Sequence, residues 1–162
     1  MEIRPATIAD IPVIQKIAKI SWDDTYITIN SQEQIDYMLS KMYSTEEITR
    51  HISDPNYHYY LIADEQPVGF VGFENHYAPG TTKLHRIYFL PESKGKGFGR
   101  KAIDLVKEKA IQAGDHRIIL TVNKKNTARK AYEALGFQVY GEEVTDVGEG
   151  YVMDDFLMEW NH

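Results

Sequence analysis

The chain has 162 residues, 43% of them hydrophobic, which is enough for one domain with a full core and calls for no second one. Its 18 lysines and arginines stand against 24 aspartates and glutamates, a net charge of −6 that disfavours a nucleic-acid partner and mildly favours a cationic ligand. Cysteine is absent, so disulfides and thiolate metal sites are excluded, and the six histidines show no ligand spacing that would imply a metal.

The opening Met1-Glu2-Ile3-Arg4-Pro5 lacks the apolar core of a signal peptide, and no apolar run approaches membrane-spanning length. A cytoplasmic protein with no membrane partner is the expectation. Ile3-Arg4-Pro5 reads as a short first strand. Thr7 or Asp10 then caps a helix with Ile11, Ile14, Ile17, Ala18 and Trp22 on its apolar side and Pro12 in its first turn. Ser31 and Gln34 form a capping box for a second helix, whose buried stripe is Ile35, Met38, Leu39 and Met42. A third short helix follows Ser44. Residues 59–63 and 68–73 read as an antiparallel hairpin around the turn Asp64-Glu65-Gln66-Pro67, and a loop from Tyr77 to Thr82 leads to a strand over 84–90 that Pro91 stops.

The next stretch, Pro91-Glu92-Ser93-Lys94-Gly95-Lys96-Gly97-Phe98-Gly99-Arg100, has a glycine at every second position with basic residues between them. Glycine has no Cβ, so such backbone adopts positive φ and brings its amides to a ligand, while the helix that starts near Gly97 adds free amides and the positive end of its dipole. Lys94, Lys96 and Arg100 put formal charge at the same spot, and the pattern points to an anion. It lacks the lysine and hydroxyl pair of the mononucleotide loop and the glycine spacing of the dinucleotide fingerprint. A plain glycine-rich turn is the alternative.

Phe98, Ala102, Leu105, Val106 and Ala110 continue as a helix closed by Gly114, and residues 117–122 form a buried strand ended by Asn123. Asn126 is an N-cap candidate for a helix through Ala128, Ala131, Tyr132 and Leu135 that Gly136 closes. Late strands are expected at 138–144 and 150–159.

Two of these segments carry a resemblance. Lys94-Gly95-Lys96-Gly97-Phe98-Gly99 between strand and helix resembles the acyl-CoA-binding element of GNAT N-acetyltransferases, [Q/R]xxGx[G/A], with Lys94 where the family has Gln or Arg. The segment from Asn126 through Tyr132 to Gly136-Phe137 resembles the second GNAT signature and follows about thirty residues later at another strand-to-helix junction. The resemblance implies an α/β fold: one domain over residues 1–162, with a mixed, mostly antiparallel, splayed sheet of about six or seven strands flanked by helices.

It also implies acetyl-CoA as cosubstrate. Amides from Gly95 to Arg100 would bind its pyrophosphate, with Phe98, Asn123 and Asn126 beside it, and backbone of Ile87, Tyr88 and Phe89 would pair with the pantetheine arm. Tyr132 would protonate the departing thiolate. His85 is the best-placed base, because its ordinary pKa is near neutral, with Glu74 or a water chain as alternatives. Without cysteine no acetyl-cysteine intermediate forms, so transfer runs directly from thioester to amine. Acids and aromatics such as Trp22, Asp24, Tyr26, Asp154 and Asp155 lie where the family binds acceptors, and a polyamine or another small amine is the first expectation. A protein N-terminal or lysine amine, or a non-catalytic acyl-CoA sensor, are the alternatives. Family members often pair through late strands, so a homodimer is open.

Overall fold

The run Tyr57-His58-Tyr59-Tyr60-Leu61-Ile62 sends alternate side chains to two apolar layers, and that alternation organises the molecule. The computed structural model describes residues 1–162. Seven strands form one sheet: β1 (Glu2–Pro5), β2 (Tyr57–Asp64), β3 (Gln66–Ala78), β4 (Thr81–Phe89), β5 (Arg117–Asn123), β6 (Gln138–Gly148) and β7 (Tyr151–Asn161). Five helices flank it: α1 (Ile11–Tyr26), α2 (Gln32–Met42), α3 (Thr45–Ser53), α4 (Phe98–Gln112) and α5 (Ala128–Ala134). The strand order is β1-β2-β3-β4-β5-β7-β6, and only the β4/β5 pair is parallel. This is the mixed, mostly antiparallel sheet expected from the sequence.

Ile14, Ile17 and Trp22 of α1, with Ile35 and Met38 of α2 and Ile48 of α3, bury Tyr57, Tyr59, Leu61 and Phe70 on one face. On the other face Ala102, Ile103 and Val106 of α4 cover Ile62, Val71, Phe73, Ile118 and Leu120. The helix starts follow their caps. The Ser31 hydroxyl accepts the Gln34 amide at 3.1 Å, and the Ser44 hydroxyl accepts the Glu47 amide at 3.1 Å. No helix is long and apolar enough to cross a membrane.

Three local expectations are corrected. The segment from Tyr77 to Thr82 is a tight hairpin end rather than a loop, because β3 runs to Ala78 and β4 starts at Thr81. Buried Asp115, remote in sequence, anchors it by accepting the His76 amide at 2.9 Å and the Thr82 hydroxyl at 2.7 Å. The last two strands extend further than expected, into a hairpin that closes between Gly148 and Tyr151. The helix expected from Asn126 begins at Ala128, with Asn126 Oδ1 accepting the Ala128 amide at 2.9 Å.

Two irregularities of β4 shape the centre. Its pairing with β5 covers only Thr81, Thr82 and Lys83. Beyond Lys83, β4 stays with β3 while β5 stays with β7, so the sheet parts and the facing edges of both strands lack a strand partner. A bulge also interrupts β4: Gly72 pairs with Arg86 and Phe73 with Leu84, which leaves His85 as the extra residue. His85 and Arg86 therefore both lie on the α1 to α3 face, where His85 stacks on Tyr57 and Arg86 bonds Tyr59.

Candidate active site

The parting of β4 and β5 opens a cleft of about 690 Å³. Ile87, Tyr88 and Phe89 line it from β4, Asn126 and Tyr132 from the α5 region, and Gly95, Gly97, Phe98, Gly99 and Arg100 from the turn that starts α4. Gly95 and Gly97 have φ of 82° and 81°, and a Cβ at either would meet nothing within 4 Å. Glycine is required there by the left-handed backbone, not by crowding.

That backbone turns six consecutive amides, from Gly95 to Arg100, away from every backbone acceptor. Together with the N-terminus of α4 they fit a diphosphate. The three cations differ. Lys94 Nζ is held by Asp24 of α1 at 2.8 Å, and Lys96 Nζ turns toward Asp64 at 3.8 Å, off the cleft wall. Arg100 remains exposed beside the free amides. Asn123 also stands off the wall, its Oδ1 accepting the Lys125 amide at 2.9 Å.

Tyr132 comes from α5, with its ring edge-on to Phe137 at 6.0 Å between centroids. Burial, and then neighbouring Tyr26, raises its pKa above the ordinary phenol value, so it keeps its proton at neutral pH. The Tyr26 hydroxyl at the end of α1 lies beside Tyr88 and Asn126. This joins the first helix to the second GNAT-like segment across the cleft.

His85 lies on the opposite wall, 5.0 Å from the Tyr57 ring, with Nε2 3.0 Å from Glu74 Oε1. Burial, with the cations of Lys83 and Arg86 beside it, lowers its pKa to about 3. The imidazole is neutral at pH 7 and its Nε2–H donates to Glu74, which leaves a weak proton acceptor. Sequence reasoning missed Arg86. It is 7% exposed, its Nη1 donates to the Tyr59 hydroxyl at 2.6 Å, and its guanidinium lies 4.5 Å from the Tyr43 ring centre. The aromatic and branched residues around it were the available signal, since an arginine inside such a strand is buried on one face.

A sheet parted at its centre, with free amides at the cleft mouth, is the arrangement that the resemblance to GNAT N-acetyltransferases implies for binding an acyl-CoA. Residues 27–152 match the family described as the acetyltransferase (GNAT) domain, and the chain belongs to that family. It is 30% identical over 168 aligned positions to a spermidine N(1)-acetyltransferase of Thermoplasma acidophilum, covering 98% of this chain and 96% of that one. Its structure is similar to the PaiA N-acetyltransferase of T. acidophilum solved in complex with coenzyme A, with a TM-score of 0.84, 27% identity, and coverage of 99% and 98% of the two chains. A GCN5-related N-acetyltransferase of Rhodopseudomonas palustris shares the fold at a TM-score of 0.83 and 17% identity, covering 99% of this chain and 95% of that one. The protein is an acetyl-CoA-dependent N-acetyltransferase.

Proposed function

We propose that the protein moves an acetyl group directly from acetyl-CoA to a primary amine of a small, polyamine-like molecule, using one domain over residues 1–162. The observation that carries this is the similarity, over nearly the whole of both chains, to a relative named for spermidine. The net charge of −6 agrees with it, since a polycation is drawn to an acidic protein.

In this assignment the amides from Gly95 to Arg100 hold the diphosphate, with Arg100 supplying charge and Lys94 bracing the loop against α1. The unpartnered edge of β4 at Ile87, Tyr88 and Phe89 meets the pantetheine arm through backbone hydrogen bonds. Tyr132 gives its proton to the departing sulfur, which keeps a poor leaving group from recapturing the acetyl carbon. Burial makes His85 a weak base, and with Glu74 it orients the acceptor nitrogen from the β4 wall. An alkyl ammonium of pKa about 10 is only about one part in a thousand free amine at neutral pH, so the nitrogen must find a proton acceptor near the acetyl carbon.

The test is the initial rate of coenzyme A release with acetyl-CoA and, in separate reactions, spermidine, a simple monoamine and a peptide with a free N-terminus. We expect kcat/KM for spermidine about tenfold or more above the other two. A preference for the peptide, or release at the amine-free rate throughout, contradicts the proposal.

A further inference from the structure

We propose that Asp155 is the residue that takes the proton from the acceptor nitrogen, an assignment that rests on the protein being an amine acetyltransferase as proposed above. Asp155 lies on β7, paired with Asn123 of β5 on one side and Glu143 of β6 on the other. Side chains alternate along β7. Phe156 and Met158 pack into the α4 layer, so Asp155 points to the face covered by α1, the face on which His85 and Tyr88 of β4 also lie.

The residue is 8% exposed, yet its carboxylate has no hydrogen bond or ion pair within the chain. Asp154 beside it, by contrast, meets Lys124 Nζ at 3.0 Å. Trp22, Tyr43 and Tyr57 carry the polar atoms that are both sealed and unpartnered, and the Asp155 oxygens are not among them. They keep a little contact with solvent. A buried carboxylate with no partner lowers stability, and this one sits on the face of the sheet that carries His85 and Tyr88.

Burial is the main cause of the raised pKa of Tyr26 and of Tyr132, with Asp155 adding to the first and Tyr26 to the second. Tyr26, on the cleft wall, thus has Tyr132 and Asp155 as neighbours. The groups acting on Asp155 are few. Burial raises its pKa to about 6, Glu143 and Asp154 push the same way, and Lys83 works against them. It is mostly ionised at neutral pH and a stronger base than an ordinary carboxylate or the buried His85.

The step balances. The free-amine form of the acceptor bonds to the acetyl carbon, and as the nitrogen becomes cationic one of its protons passes to Asp155. The carbon–sulfur bond breaks, and the sulfur takes the Tyr132 proton. Solvent returns a proton to the Tyr132 phenolate and removes one from Asp155.

The experiment is kcat/KM for spermidine acetylation from pH 5 to 9 by wild type, Asp155→Asn and Asp155→Glu, with acetyl-CoA binding by calorimetry and thermal melting alongside. In wild type the amine alone gives a logarithmic slope of one, and below about pH 6 loss of the carboxylate steepens it to two. Asp155→Asn is expected to lose about 100-fold at pH 7.5 and to keep slope one throughout, while binding acetyl-CoA within about twofold and melting no lower than wild type. Asp155→Glu should recover part of the loss.

Asp155→Asn activity within about threefold of wild type, or a wild-type steepening that survives in the Asn variant, overturns the proposal. So does a loss of activity matched by loss of acetyl-CoA binding and of melting temperature, which marks a structural role. If wild type acetylates a monoamine such as phenethylamine but not spermidine, the polyamine assignment fails, and the same series on that amine still decides Asp155.

Discussion

Replacing Asp155 with asparagine should make the protein more stable at neutral pH. The carboxyl pKa is raised by burial from 3.8 to about 6 in the folded state. Below about pH 4 it is protonated in folded and unfolded chains alike and costs nothing. Between about pH 4 and 6 the unfolded chain sheds the proton first, which favours unfolding, and above about pH 6 the full penalty applies. The gap between 3.8 and about 6, at about 1.4 kcal/mol per pH unit, comes to about 3 kcal/mol. Asparagine has nearly the same shape and no charge, so it escapes that penalty. The gain corresponds to roughly 6 to 10 °C in melting temperature for a domain of this size. Urea denaturation of wild type and Asp155→Asn at pH 4 and pH 7.5 measures it. We expect near equality at pH 4 and a more stable variant at pH 7.5. A variant less stable at pH 7.5, or a difference that does not change with pH, refutes the reasoning.

Tyr132→Phe should lower kcat by about 100-fold while the calorimetric Kd for acetyl-CoA stays within about twofold, because the role proposed for the hydroxyl is that of an acid rather than a binding group. Burial keeps that phenol protonated, so the wild-type rate should show no decline assignable to it up to about pH 10. Gly97→Ala, at φ of 81° with open space around the new methyl, should cost about 1 to 2 kcal/mol of backbone strain and weaken acetyl-CoA binding, read by melting and calorimetry. Arg100→Ala should weaken acetyl-CoA binding more than Lys94→Ala. The Lys94 charge is already held by Asp24 at 2.8 Å, and breaking that exposed pair should change stability by under about 0.5 kcal/mol in a urea titration.

Features set by neighbours along the chain were readable in the sequence. The glycine-rich turn, the Ser31 and Ser44 caps and the apolar stripe of α1 each depend on residues a few positions apart, and each is found where the spacing puts it. What escaped depends on distant partners. His85 reads as an ordinary strand histidine with a near-neutral pKa, but the bulge opposite Gly72 and Phe73 turns it against Tyr57 and Glu74 and makes it a weak base. Arg86 was missed because the Tyr43 and Tyr59 that close over it come from other elements. Asp155 was one acid among several near the acceptor region. What distinguishes it from Asp154 is that Lys124 reaches one and not the other, a difference made by the pleat of β7 and the path of β5. The hairpin end at Ala78 escaped for the same reason, since its anchor, Asp115, arrives from the far end of α4.

The claim that acetyl passes from acetyl-CoA to a polyamine nitrogen is tested most directly by mass spectrometry of a reaction containing the protein, acetyl-CoA and spermidine. The prediction is one monoacetylated spermidine formed for each coenzyme A released, with no acetylated protein accumulating. Coenzyme A released without acetylated spermidine, or no turnover above the protein-free rate, would contradict it.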